Sequence, residues 1–271
     1  MAKKALCVGI NDYPYDGTDL NGCVNDAKGW AEVLVSQFEF PQSDVKLLLD
    51  SEATKSNVMA GLKSLLTGAK AGDILVFTNS SHGTYVADAT GDEPKYDEAI
   101  CPYDCAETLI VDDELRDLFA KMPKDVHLAV ISDSCFSGTV TRVALADAIP
   151  GLKTPDDRRA RFLSPALRGK PVLENPWKAR PKRLDKYPES RMMEVLLSGC
   201  TDKEYSYDAR IGGVYHGAMT YFALQALREA NYKLTYGQLH TRLLALLDEA
   251  EYPQHPQLEG NKVNKKRLVF T

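Results

Sequence analysis

Residues 128–138 read LAVISDSCFSG, and the way that stretch is read decides the fold. Its first four residues are apolar and partly β-branched, with the length and composition of a buried strand. The run breaks at Ser132-Asp133-Ser134-Cys135, and Ser137-Gly138 follow as turn residues. Residues 74–84, ILVFTNSSHGT, have the same layout: an apolar run over 74–78, then a polar loop carrying His82 and Gly83. Two buried strands therefore end in loops, one with a histidine and one with a cysteine. In α/β proteins, sites are built just past the carboxyl ends of the strands. If the two strands are parallel neighbours, His82 and Cys135 rise from one sheet edge, which is a way to pair a thiol with an imidazole base.

Outward from these two strands the chain keeps alternating. Residues 4–10 (KALCVGI), 45–49 and 192–198 read as strands. Helices are expected after a cap at Asn25 or Asp26, after Thr54, over 112–119, over 216–229 and after Thr235, each with an apolar stripe at helical spacing. Residues 199–213 and 253–260 read as loops, and 267–270 as a last strand. Alternation of this kind implies a mostly parallel sheet of about six strands with helices on both faces. Residues 141–190 break the pattern: they are rich in proline, and Lys and Arg outnumber the acids about two to one. They read as an exposed basic linker between the halves 1–140 and 191–271 of a single domain.

The totals narrow the function. A chain of 271 residues that is 44% hydrophobic buries a full core. A net charge of −5 argues against a nucleic-acid binder. No stretch approaches the ~20 apolar residues of a membrane span. The amino-terminal apolar run is shorter than a signal peptide requires, so a cytoplasmic location and six reduced cysteines are expected.

Cys135 and His82 are the candidate nucleophile and general base, since a thiol attacks well only once a base takes its proton. Backbone amides near Gly83 and Cys135 are candidates for an oxyanion site. Asp133 stands two residues before Cys135, so in an extended segment both side chains point the same way. Asp26 suits a helix cap and Asp133 a turn equally well.

SSHG around His82 and DSCFSG around Cys135 resemble the caspase–hemoglobinase clan of cysteine proteases, and within it the metacaspases and compact bacterial orthocaspases. NGCVNDA (21–27), DEAICPYD (97–104), VDDEL (111–115), LLSGCTDKEYSYDA (196–209), GAMTYFALQAL (217–227) and PQLEG (256–260) extend the resemblance over nearly the whole chain. It implies a three-layer α/β sandwich and thioester chemistry at Cys135 with His82 as base and then acid. It also implies an acidic specificity pocket at Cys23, Asp26, Ser80 and Asp133. Such a pocket takes a cation, so protein substrates cut after Arg or Lys are expected. A monomer and a calcium site at Asp97, Asp112 and Asp113 are implied too. The fourth acidic position of that site falls at about Arg142, which opposes a metal. Phe136 stands where metacaspases commonly have His. Self-cleavage in the linker is expected at one of Arg158, Arg159, Arg161, Arg168, Arg180 or Arg183. The alternative is a caspase-like docking module without proteolysis.

Overall fold

The computed structural model describes residues 1–87, 96–135, 158–168, 189–201 and 204–271. Phe136, Arg142, Arg180 and Arg183 lie outside them. A six-stranded sheet forms the centre, built from β1 (Lys3–Gly9), β2 (Val45–Leu49), β3 (Ile74–Ser80), β7 (His127–Asp133), β9 (Glu194–Ser198) and β12 (Gln257–Glu259). The strand order is β12-β9-β7-β3-β1-β2, and every pairing is parallel except that of β12 on β9.

The strands bury both faces because alternate side chains serve different layers. Ala5 and Cys7 of β1, Ile74 and Val76 of β3, and Ala129 and Ile131 of β7 pack under α1 (Cys23–Phe38), α4 (Ala218–Glu229) and α5 (Tyr236–Glu249). Leu6, Val8, Leu75, Phe77, Leu128 and Val130 face the other way, under α2 (Lys55–Leu66) and α3 (Asp112–Phe119). Two small antiparallel sheets flank the core. One joins β4 (Gly83–Ala87), β5 (Tyr96–Ile100) and β6 (Ile110–Val111). The other joins β8 (Arg159–Ala160), β10 (Tyr207–Ile211) and β11 (Val214–Gly217). The result is a three-layer α/β sandwich, as the sequence resemblance implies. Among the described residues no helix is long and apolar enough to cross a membrane.

The parallel register settles how the two signature loops meet. Ser80 pairs with Asp133 at the carboxyl ends of β3 and β7, and Gly9 of β1 pairs with Ser80. His82 and Cys135, each two residues further on, leave the sheet side by side. The sheet changes winding direction between β1 and β3, and α1 starts at that crevice, where α/β proteins bind ligands.

Several elements differ from the sequence reading. Helix α1 begins at Cys23, with Gly22 rather than Asn25 or Asp26 at the cap, so Asp26 is inside its first turn. Residues 267–270 form no strand; Leu268 makes one isolated bridge to Thr235, and Val269 and Phe270 are buried under α1 and α5. The two stretches read as loops contain β10 and β12.

Candidate active site

The two loops hold their side chains in the protein interior. His82 is 3% exposed and Cys135 fully buried. His82 Nε2 lies 2.6 Å from the Thr18 carbonyl oxygen. A carbonyl only accepts, so Nε2 carries the proton and Nδ1 is left as the basic nitrogen. That Nδ1 is buried and makes no hydrogen bond. Burial pushes the imidazole pKa down to about 3, so the ring is neutral through the physiological range. The Tyr13 ring leans on it at 5.1 Å, and the Tyr13 hydroxyl accepts the His82 backbone N–H. The Cys135 thiol donates to the Ser206 carbonyl at 3.2 Å, and its sulfur accepts the Ser206 N–H at 2.7 Å. The expected thiol–imidazole hydrogen bond is therefore not formed in this state. Cys200 lies against Cys135; that contact and then burial push its own thiol pKa up.

Between the two groups runs a piece of the basic linker. The Arg161 carbonyl oxygen accepts the Gly83 N–H at 2.9 Å and the Cys135 N–H at 3.2 Å. These are the two amides singled out in the sequence, and they converge on one acceptor. Arg161 N–H donates to Ser206 O, Leu163 N–H to Gly83 O, β8 pairs with β10 and Phe162 bridges Gly83, so residues 159–163 are tied across the cleft. Phe162 stacks on Tyr85 at 6.0 Å and meets Tyr205 at 6.2 Å.

The Arg161 side chain is fully buried among three carboxylates: Asp26 at 2.7 Å, Asp208 at 3.1 Å and Asp133 at 3.3 Å. Nη1 also reaches the Asp133 carbonyl at 3.1 Å and Ser80 Oγ at 3.4 Å. Burial opposes the charge of Arg161, but the surrounding acidic groups outweigh it and hold the guanidinium firmly protonated. Burial pushes Cys23, beside the same acids, well above the ordinary thiol range.

Three buried carboxylates on one cation need further donors, and helix starts supply them. Asp208 accepts the N–H groups of Asn21 and Gly22 at the start of α1. Asp133 accepts the N–H and hydroxyl of Thr220 in the first turn of α4 and the Ser206 hydroxyl. Asp26 accepts the Gly217 N–H and the Ser80 hydroxyl, and His216 Nδ1 approaches it at 3.3 Å.

Comparisons with known proteins give the family. The family model of the metacaspase, peptidase C14 domain, matches residues 3–144. Metacaspase-9 of Arabidopsis thaliana is 30% identical over 95% of this chain and 94% of its own length. The chain belongs to the metacaspase family. Metacaspase-1 of Pyricularia oryzae is 33% identical over 94% of the chain and 71% of that protein. Metacaspase-6 of Arabidopsis thaliana is 43% identical, but the chain spans 39% of its length. Among solved structures, protein GSU0716 from Geobacter sulfurreducens superposes with a TM-score of 0.73 at 25% identity, covering 100% of this chain and 99% of that one. Caspase-1 from Spodoptera frugiperda shares the fold, with a TM-score of 0.56 at 12% identity over 95% of this chain and 86% of that one.

In this metacaspase the four pocket positions expected from sequence, Cys23, Asp26, Ser80 and Asp133, do come together. Three further contributors were not foreseen. Asp208 lies in a stretch read as loop. Gly217 passes so close that a methyl group on it would stand 2.2 Å from Asp133 Oδ2 and 2.4 Å from Arg161 Nη1. Ser206 brackets the cysteine and Asp133. Two further histidines have acid partners: His216 has Asp26 at 3.3 Å, and His255 has Glu204 at 2.6 Å.

The calcium residues are less tightly gathered. Asp97 lies on β5, while Asp112 and Asp113 open α3. Among the described residues no three His, Cys, Asp or Glu stand close enough to hold a metal ion. Both Asp112 carboxylate oxygens are buried without a hydrogen bond, although Arg116 stands 3.5 Å away. By themselves the described residues do not fit a calcium site.

Proposed function

We propose that this metacaspase is a cysteine endopeptidase that cuts after arginine, and that the bond between Arg161 and Phe162 is its first substrate. One observation carries the reading. The same residue places its guanidinium in a pocket of three carboxylates and its carbonyl oxygen on two converging amides beside Cys135. A residue bound at both ends in this way presents its carbonyl carbon to the thiol.

The chemistry follows from the groups around that carbonyl. Rotation of the Cys135 side chain brings the thiol to His82, whose free Nδ1 takes the proton. The sulfur bonds to the Arg161 carbonyl carbon, and the Gly83 and Cys135 amides stabilise the charge growing on oxygen. The bond to the Phe162 nitrogen then breaks, and that nitrogen leaves with the proton from His82. Water, deprotonated by the same imidazole, hydrolyses the thioester and restores the thiol. Arginine outperforms lysine because its two terminal nitrogens engage separate carboxylates, whereas an ammonium is a single point charge.

The test is a time course of the purified full chain beside Cys135→Ala. Amino-terminal sequencing of the smaller fragment is expected to begin at Phe162, and the variant is expected to stay intact. A wild-type chain that stays intact, or that is first cut elsewhere, overturns the reading. Matched fluorogenic peptides are expected to rank Arg, then Lys, with Asp and Asn uncut.

A further inference from the structure

The residue two places before Arg161 meets the loop that holds the catalytic histidine. Arg159 donates from its two terminal nitrogens to the carbonyls of Gly17 and Asp19. The carbonyl between them belongs to Thr18, and it is the one that accepts His82 Nε2. Gly17 has φ +77°, a left-handed conformation that glycine adopts without strain. The loop has other ties: the Asp19 carboxylate accepts the Tyr13 N–H, and Thr18 N–H and hydroxyl both donate to the Tyr15 carbonyl. Its outer side is closed by Arg159 alone among the described contacts to the Gly17 and Asp19 carbonyls.

The neighbouring residue behaves differently. The Arg158 guanidinium lies 4.1 Å over the Tyr252 ring and donates to the Glu251 carbonyl at 2.9 Å. Both partners sit just past α5, away from His82. Arg158 is thus held away from the histidine loop, while Arg159 bridges the carbonyls on either side of Thr18, whose own carbonyl fixes the tautomer of the imidazole.

We infer that a basic residue two places before the cut arginine is a positioning group for His82, so that the preferred substrate class is Arg-X-Arg with X small, as in Arg159-Ala160-Arg161. This rests on the reading that the cleft cuts after arginine. In such a substrate the bidentate guanidinium holds residues 17–19 in one geometry, and the benefit is felt in the chemical step more than in binding. A residue four places before the bond, held by a ring and one carbonyl, acts on binding.

The experiment uses the self-processed enzyme and three peptides with a fluorogenic leaving group: Arg-Arg-Ala-Arg, Arg-Ala-Ala-Arg and Ala-Arg-Ala-Arg. Single-turnover acylation rates with excess enzyme are read beside KM. Removing the arginine two places before the cut residue is expected to slow acylation about tenfold with KM changed less than twofold. Removing the one before that is expected to raise KM severalfold and leave acylation unchanged. A fourth peptide with lysine in place of the clamping arginine, unable to span both carbonyls, is expected to recover less than half of the lost rate. Equal acylation of the first two peptides, or an effect confined to KM, overturns the inference while leaving cleavage after arginine intact. Failure to cut any arginine peptide removes both.

Discussion

At Gly217 the fit of the Arg161 guanidinium among its carboxylates comes down to a missing methyl group. Its backbone is ordinary, φ −69° and ψ 132°, so alanine fits the chain there without strain. What alanine does is intrude on the space of the bound guanidinium and of Asp133. Gly217→Ala is therefore expected to fold, with a cooperative melt, and to lose about a hundredfold in kcat/KM for arginine peptides, the scale of an ångström-sized misplacement. Self-cleavage after Arg161 is expected to slow in parallel. Unchanged cleavage would show that the guanidinium reaches the carboxylates by another path. At this scale the sequence was informative where a residue follows a buried strand. Cys135, His82, Ser80 and Asp133 are legible because β3 and β7 are unmistakable apolar runs that stop abruptly. Asp208 and Gly217 carry no such mark. They enter the pocket through the short strands β10, read as loop, and β11, whose His216 and Gly217 were read as the start of the next helix. Arg161 was one of six candidate cleavage sites. Nothing local distinguishes it from Arg159; only the register of β8 on β10 does.

Elements legible in the sequence are those that bury a full face. Strands β1, β2, β3, β7 and β9 and all five described helices were anticipated to within a few residues, because each contributes a stripe or a run to one of the two cores. The three-residue β12 and the polar β10 escaped, since pairing there depends on backbone partners more than on side chains. Helix α3 shows a cost that its sequence hides. Its first residue, Asp112, is favoured by the helix dipole, yet it lines a cavity of about 310 Å³ with Glu98 and Glu194. Burial, only partly offset by Arg116, pushes its pKa up to about 6. The unfolded carboxyl titrates near the ordinary value of ~3.9. Below that value both states hold the proton and the site is neutral to stability. As pH rises to about 6 the unfolded chain gives up its proton first, so the fold loses stability across that window and stays lower above it. Asp112→Asn removes the titration. The variant is expected to gain about 3 kcal/mol over wild type at pH 7.5 and almost nothing at pH 3.5, read from denaturant melts. If calcium in the same melts stabilises wild type but not Asp112→Asn, the carboxylate is instead a metal ligand.

At the scale of the whole molecule, Arg161 is a structural residue as well as the proposed cleavage site. It ties α1, β7, β10 and the linker together through carboxylates from three separate elements, with side-chain distances of 2.7 to 3.3 Å. Burial raises the Asp208 pKa even with this cation present, so the acids depend on it. Removing one partner from a buried ion cluster leaves unpaired charge and costs about 3–5 kcal/mol. In a Cys135→Ala background, where no cut occurs, Arg161→Ala is expected to melt at a lower temperature and to lose the pairing of β8 with β10. The emptied pocket is then open to a free guanidinium compound. Agmatine at millimolar concentration is expected to raise the melting temperature of the double variant and leave Cys135→Ala unmoved, because there Arg161 already fills the site. Equal shifts in both proteins would mean that agmatine binds elsewhere. No shift in either would mean that the three carboxylates rearrange once the arginine is gone. The comparison thus separates the two roles of one side chain: as the first arginine the pocket binds, and as the counter-charge that lets an acidic pocket exist in the uncut protein.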